Sequence, residues 1–181
     1  MSHLCVYHQS NSLQPIRLLN HHEDIARELA AIGSGFQRWP ATVPVTARTV
    51  AEEVVAACQA GVAQLERAMA HADVIGLDED SAPEQAGKLR KQLSQEHVCD
   101  AEQAWLFAAG RGMLCLHVDG HVYALLCERG DLLTIPAGVK HWFDMGEQPR
   151  FVVTRLCDAA EGCKLRPTGE DVASRYPALE G

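Results

Sequence analysis

The sequence predicts a mainly β fold, a small barrel or sandwich preceded by α-helices (α+β). Three observations carry that prediction. Five short apolar runs crowd into residues 97–157, tight glycine-bearing turns separate them, and helical periodicity is confined to the chain before His97. In chain order, Leu4 to Tyr7 alternates as a short strand. A helix opens at His22-Glu23-Asp24, with Ile25, Leu29 and Ile32 on one face, and stops at Gly33. Phe36 to Trp39 reads as a strand ended by Pro40. Thr49 to Ala70 carries the longest helical stripe, Val50, Val54, Cys58, Val62, Leu65 and Met69, with Thr49 and Glu52 spaced as a capping box. A third helix starts at Ser81 with Pro83 in its first turn and ends near Glu96. Strands follow at Trp105–Ala109, Leu114–Val118, Val122–Cys127, Leu132–Ile135 and Phe151–Leu156. Gly110-Arg-Gly112, Asp119-Gly120 and Arg129-Gly130-Asp131 lie between them, and Asp-Gly between alternating runs is a strong hairpin signal. Thr168 to Arg175 reads as a short capped helix. The expected organisation is a single domain spanning residues 1–181: a helical N-terminal segment over residues 1–96, a β-barrel over 97–157 and a C-terminal cap over 158–181.

Composition narrows the function classes. The 181 residues carry a net charge of −8, which argues against nucleic acid and anionic membrane surfaces as partners. At 47% apolar and 22% charged, this is the make-up of a soluble globular domain. No apolar run reaches the length of a membrane span, and the start lacks the basic and apolar regions of a signal peptide. A cytoplasmic monomer acting on a small molecule is the expectation. Seven cysteines without a Cys-x-x-Cys pair point to small buried hydrophobes rather than a disulfide framework.

Two patterns bracket the barrel. One is His97-x-Cys99-x3-Gln103-x6-Gly110; the other is Gly130-x5-Pro136-x-Gly138-x2-His141. If residues 97–103 form one strand, His97, Cys99 and Gln103 share a face, with Glu96 and Glu102 on the other. With His141 opposite, they make a candidate metal site inside the barrel. The remaining histidines, His117 among them, read as surface or hydrogen-bonded structural residues.

These patterns resemble the two signature motifs of the cupin superfamily, a double-stranded β-helix or jelly-roll barrel. The first reads there His-x-His-x3-Glu-x6-Gly. Nearly end to end, the chain is similar to the acireductone dioxygenases of methionine salvage. The matching segments are the opening Met-Ser-His-Leu-x-Val-Tyr-His, Phe36-x-Arg-Trp39, Glu96-His97, Ala109-Gly-Arg-Gly112, Leu126-Cys-Glu128, Ile135-Pro-Ala-Gly138, Lys140-His-Trp-Phe-Asp-Met-Gly146 and Thr168-Gly-Glu-Asp171. The resemblance implies four metal ligands, three histidines and a glutamate, at His97, Cys99, Gln103 and His141. Only the two histidines keep the family's residue type. It further implies that Leu93 stands for a phenylalanine, Trp105 for an arginine and Cys163 for a tryptophan, while Phe143 and Arg155 are retained.

The altered set still supplies one negative charge, moved from position 103 to a Cys99 thiolate that a metal would deprotonate. Thiolate favours Cu, Zn or Fe, whereas the resemblance implies Fe2+ or Ni2+. Trp105 exchanges a cation for an indole N–H and an apolar face, which makes the pocket smaller and less suited to an enediolate. Arg155 can still hold an anionic group, and Glu96 can support His97 from behind. Trp105, Arg155 and Glu96 are thus the candidate substrate-side residues. The expected function is a metal-dependent oxygenase working with O2 on a small enediol, ketone or acid other than acireductone. Two alternatives stay open: a non-oxygenase metalloenzyme (isomerase, lyase or hydrolase), and a metal-poor binding cupin.

Overall fold

The computed structural model describes residues 1–159, 161 and 163–180. The elements run β1 (His3–His8), β2 (Arg17–Leu19), α1 (His22–Ala30), β3 (Phe36–Arg38), α2 (Ala51–Ala57), α3 (Gln59–Val62), β4 (His71–Leu77) and α4 (Pro83–Leu93). They continue with β5 (His97–Val98), β6 (Gln103–Val118), β7 (His121–Glu128), β8 (Asp131–Ile135), β9 (Lys140–Asp144), β10 (Phe151–Cys157), β11 (Arg166–Pro167) and a 3-10 turn at Ala173–Arg175. Most of the fold is antiparallel sheet, as expected.

Strand β6 organises the barrel because it belongs to both walls. Its first half lies between β8 and β10, extended outward by β3 and β4. Its second half lies between β7 and β9, extended by β1 and β2 on one side and by β5 and β11 on the other. The expected turn at Gly110-Arg-Gly112 is absent. Gly110 takes φ +67° while the chain continues extended, and the pairing with β10 slips beside it, between Val152 and Val153. A left-handed glycine with a slipped register is a bulge, which bends a strand without ending it. The Asp119-Gly120 hairpin forms as expected, with φ of +49° and +74°.

The core fills the space between the walls. Leu4, Val6, Leu114, Leu116, Leu125, Phe107, Phe143, Phe151 and Trp105 form the main cluster, closed by Ile25 and Leu29 of α1 and by Leu93 of α4. A second cluster lies outside the β6–β8–β10 wall, where Trp39, Val54 and Cys58 cover Leu106, Leu132 and Leu156.

Several expectations fail in the N-terminal half. It is not purely helical, because β1, β2, β3 and β4 all join the barrel walls. The long helix over Thr49–Ala70 is two short pieces that end at Val62, and His71–Leu77 pairs along the whole of β10. Gly61 explains the break: a Cβ there would lie 2.5 Å from Leu106 Cδ2 and 2.9 Å from Trp39 Cδ2, so backbone packs directly on the sheet. The Thr49–Glu52 capping box does not form. Val50 is the cap, and Thr49 Oγ1 instead accepts from Thr46 N–H at 2.9 Å. Pro83 does open α4 at its first turn, but that helix stops at Leu93 rather than near Glu96. The capped C-terminal helix is reduced to the 3-10 turn, with no side-chain cap.

Cys58, Cys99, Cys115 and Cys127 are buried free thiols, in line with a hydrophobic role. Cys157 and Cys163 are the exception, joined as a disulfide with Cα atoms 5.8 Å apart. Cys157 ends β10 and its partner lies six residues on, a pairing that the spacing alone did not announce. Among the described residues no helix is long and apolar enough to cross a membrane.

Candidate metal and substrate site

Two histidines meet inside the barrel by strand pairing. His97 on β5 lies directly opposite His141 on β9, and their rings sit edge to face with centroids 4.4 Å apart. Each ring is oriented by a backbone carbonyl. His97 Nδ1–H donates to Gln95 O at 2.7 Å and His141 Nδ1–H to Val139 O at 2.8 Å. Both Nε2 atoms therefore carry lone pairs. That of His97 is buried with no hydrogen-bond partner.

Gln103, at the start of β6, stands next to His141. Its Oε1 accepts from Trp105 Nε1–H at 3.1 Å, and its Nε2 donates to His141 Nε2 at 3.3 Å. The orientation of the amide follows from chemistry, since an indole nitrogen only donates and so must face the amide oxygen. Trp105, fully buried, packs against Phe143 with centroids 5.2 Å apart and carries the Arg155 guanidinium over its ring at 5.6 Å. Arg155 sits opposite Trp105 in the β6–β10 pairing. Its Nε and Nη2 donate to Asp73 at 3.3 and 2.8 Å, which leaves Nη1 buried and unpartnered.

Burial, with the neighbouring His97 second, pushes His141 down to about 3. Burial also lowers His97, helped by the charge of Arg155. Both rings are neutral and basic at Nε2 near pH 7. Below pH 6.5 the unfolded chain holds a proton on residue 141 that the folded chain lacks, so acidification favours unfolding until the folded ring itself protonates at about 3. The melting temperature is expected to fall steadily as pH drops from 6.5 towards 4.5, and a flat profile in thermal melts would contradict a buried neutral His141.

The sequence-predicted residues divide into three groups. His97, Gln103, His141, Trp105 and Arg155 come together. Cys99 is buried but does not complete a cluster with the histidines; among the described residues no three His, Cys, Asp or Glu side chains form a metal-holding group. The single strand assumed over 97–103 is two strands, β5 ending at Val98 and β6 starting at Gln103, so the alternation that put Cys99 beside His97 is interrupted. Glu96 is buried, but its carboxylate is bonded to partners other than His97. Its Oε2 accepts from His117 Nδ1–H at 2.7 Å and its Oε1 from Thr168 Oγ1–H at 2.9 Å, beside a separate cavity of about 560 Å³. Asp73, the carboxylate that holds Arg155, went unseen because β4 was not read as a strand.

A cavity of about 620 Å³ leads from the surface to His97 and Arg155, walled by α4 residues and by Cys163, Leu165 and Pro167. Residues 6–163 match the family described as ARD/ARD′. The chain belongs to the ARD/ARD′ family. It is 47% identical over 99% of both chains to the acireductone dioxygenase of Pseudomonas paraeruginosa DSM 24068/PA7. The identity is 46% with that of Pseudomonas syringae pv. syringae B728a and 43% with that of Stutzerimonas stutzeri A1501, at the same coverage. In structure it is similar to the acireductone dioxygenase from Bacillus anthracis with cadmium ion in its active centre. That match has a TM-score of 0.75 at 19% identity and covers 90% of this chain and 95% of that one. This ARD/ARD′ chain is thus a dioxygenase-type enzyme on a cupin barrel.

The residues present fit a metal at one half of such a site. Two neutral imidazoles with carbonyl-anchored Nδ1–H groups and one orphaned Nε2 are the arrangement that metal-binding histidines use. The other half is weaker, because Gln103 turns its amide nitrogen, not its oxygen, towards His141.

Proposed function

We propose that this ARD/ARD′ member is a metal-dependent oxygenase that brings O2 to a small enediol, ketone or acid other than acireductone. The observation that carries the reading is that two residues lining one cavity, His97 and Arg155, each keep a buried nitrogen without a partner, Nε2 and Nη1. His97 and His141 would hold the ion, with Gln103 beside them. A bound Fe2+ or Ni2+, or Cu or Zn, supplies a Lewis acid for a substrate oxygen, and a redox-active ion among these also supplies the electronic partner for O2.

The chain's own residues do the rest. Asp73 fixes the guanidinium of Arg155, so that Nη1–H points a preset donor at a substrate carboxylate or enolate. Gln95 and Val139 keep the ring protons on Nδ1, which leaves a lone pair on each Nε2, unpartnered on His97 and accepting from Gln103 on His141. Trp105, beneath the Arg155 guanidinium, and Phe143, packed against Trp105, are fully buried and surround the site's inner residues with apolar, water-excluding surface. Trp105 also anchors Gln103, which leaves Arg155 as the inner cation for the substrate.

Oxygen uptake by the metal-loaded protein tests the reading. Faster uptake with a small 2-oxo acid, 2-hydroxy acid or enediol than with acireductone supports it; acireductone as the best substrate overturns the altered specificity. Arg155→Met is expected to lower kcat/KM by roughly ten- to a hundredfold, the value of one charged hydrogen bond. An unaltered kcat/KM would remove Arg155 from the substrate's contacts.

A further inference from the structure

The outer half of the cavity has a chemical character of its own. Lys88, Lys91, Gln92 and Gln95 follow one another at helical spacing along α4 and the turn beyond it, and all four line the cavity. The chain has only four lysines, and two of them stand here. Lys164 is paired with Glu161, whereas Lys88 and Lys91 form no ion pair with a described residue. No carboxylate lines this cavity among the described residues, although the chain as a whole carries a net charge of −8. Two unpaired ammonium groups and the Arg155 guanidinium, itself paired with Asp73, therefore line one cavity of an anionic protein, an arrangement that concentrates anions.

We propose that the substrate is anionic at both ends. Its reacting end lies against Arg155 and His97, and a phosphate monoester at its other end is held by Lys88 and Lys91, with Gln92 and Gln95 as amide donors. The charge match favours phosphate over a second carboxylate: a phosphate monoester carries about −1.5 to −2 at neutral pH, which two ammonium groups balance. Lysine serves phosphate as a mobile point charge, suited to a mouth that must also let the ligand leave. The inference rests on reading this cavity as the substrate site, and it adds the class of substrate.

Calorimetric titration with 2-phosphoglycolate and with glycolate, at fixed ionic strength, tests it. The phosphorylated probe is expected to bind the native protein at least tenfold more tightly. The double variant Lys88→Gln/Lys91→Gln is expected to lose that preference while glycolate affinity shifts by less than about twofold. Both lysines are exposed on a helix surface, so circular dichroism of the variant should match the native protein. Equal binding of the two probes, no binding of either, or a preference that survives the double variant overturns the proposal. The oxygenase reading fails separately: a lysine-dependent preference for the phosphorylated probe without any O2 uptake would sink that reading and leave this one standing.

Discussion

Gln103→Glu is expected to raise divalent-metal affinity by at least tenfold, the scale on which even the outer hydrogen-bond partners of a metal site act. One new carboxylate oxygen would keep the Trp105 Nε1–H bond, now made at 3.1 Å to the amide oxygen. The other would replace the amide nitrogen that faces His141 Nε2 at 3.3 Å. Without metal, two lone pairs then oppose each other in a buried site, and the apo variant should melt below the native protein. With a divalent ion, both become donors to one centre. The result is a metal-dependent rise in melting temperature much larger than the native protein gives, because a ligand that binds only the folded state stabilises it by mass action. Equal metal-induced shifts in the two proteins would mean that residue 103 does not face the ion.

Gly110→Ala is expected to leave little folded protein. The residue holds φ +67°, which costs an L-residue roughly 1–2 kcal/mol. An added Cβ would lie 1.9 Å from Arg150 O and 2.6 Å from Arg150 C, backbone atoms that β10 cannot move without parting from β6. That parting would carry Arg155 away from Trp105. Against a total stability of about 5–15 kcal/mol, strain and lost pairing together remove a large share. Gly87→Ala is the control. Nothing lies within 4 Å of its added Cβ in the middle of α4, and the gain in helix propensity should stabilise the fold by up to about 1 kcal/mol. Denaturant melts of both variants check the pair.

Much of this architecture was written in local chemistry. The Asp119-Gly120 hairpin, the opening of α4 at Pro83 and the strand ended by Pro40 depend on the conformational limits of single residues, and all formed where those limits put them. His97 and His141 were likewise legible, since each sits in a spaced pattern tied to a tight turn. What the sequence hid were features set by distant partners. Cys58 ends α2 because Gly61 lets α3 press onto Leu106 and Trp39, a contact that the apolar stripe through Met69 does not encode. Gly110 looked like a turn because glycine serves both turns and bulges, and only pairing to Phe151 decides which. His71–Leu77 lacks clean alternation, so Asp73 and its hold on Arg155 stayed invisible. Period-two alternation does not reach Cys99 for a related reason: the strand ends at Val98, and Cys99 O accepts from Gly138 N–H instead.

In the proposed metal centre, His97 and His141 hold a divalent ion inside this barrel. The metal content of the protein purified without added metal decides this, measured beside His97→Ala/His141→Ala and Cys99→Ala. About one equivalent is expected in the native protein and in Cys99→Ala, and none in the double histidine variant. An equivalent of metal retained by the double histidine variant, or no metal in the native protein even after incubation with Fe2+, Ni2+, Cu2+ or Zn2+, would contradict it.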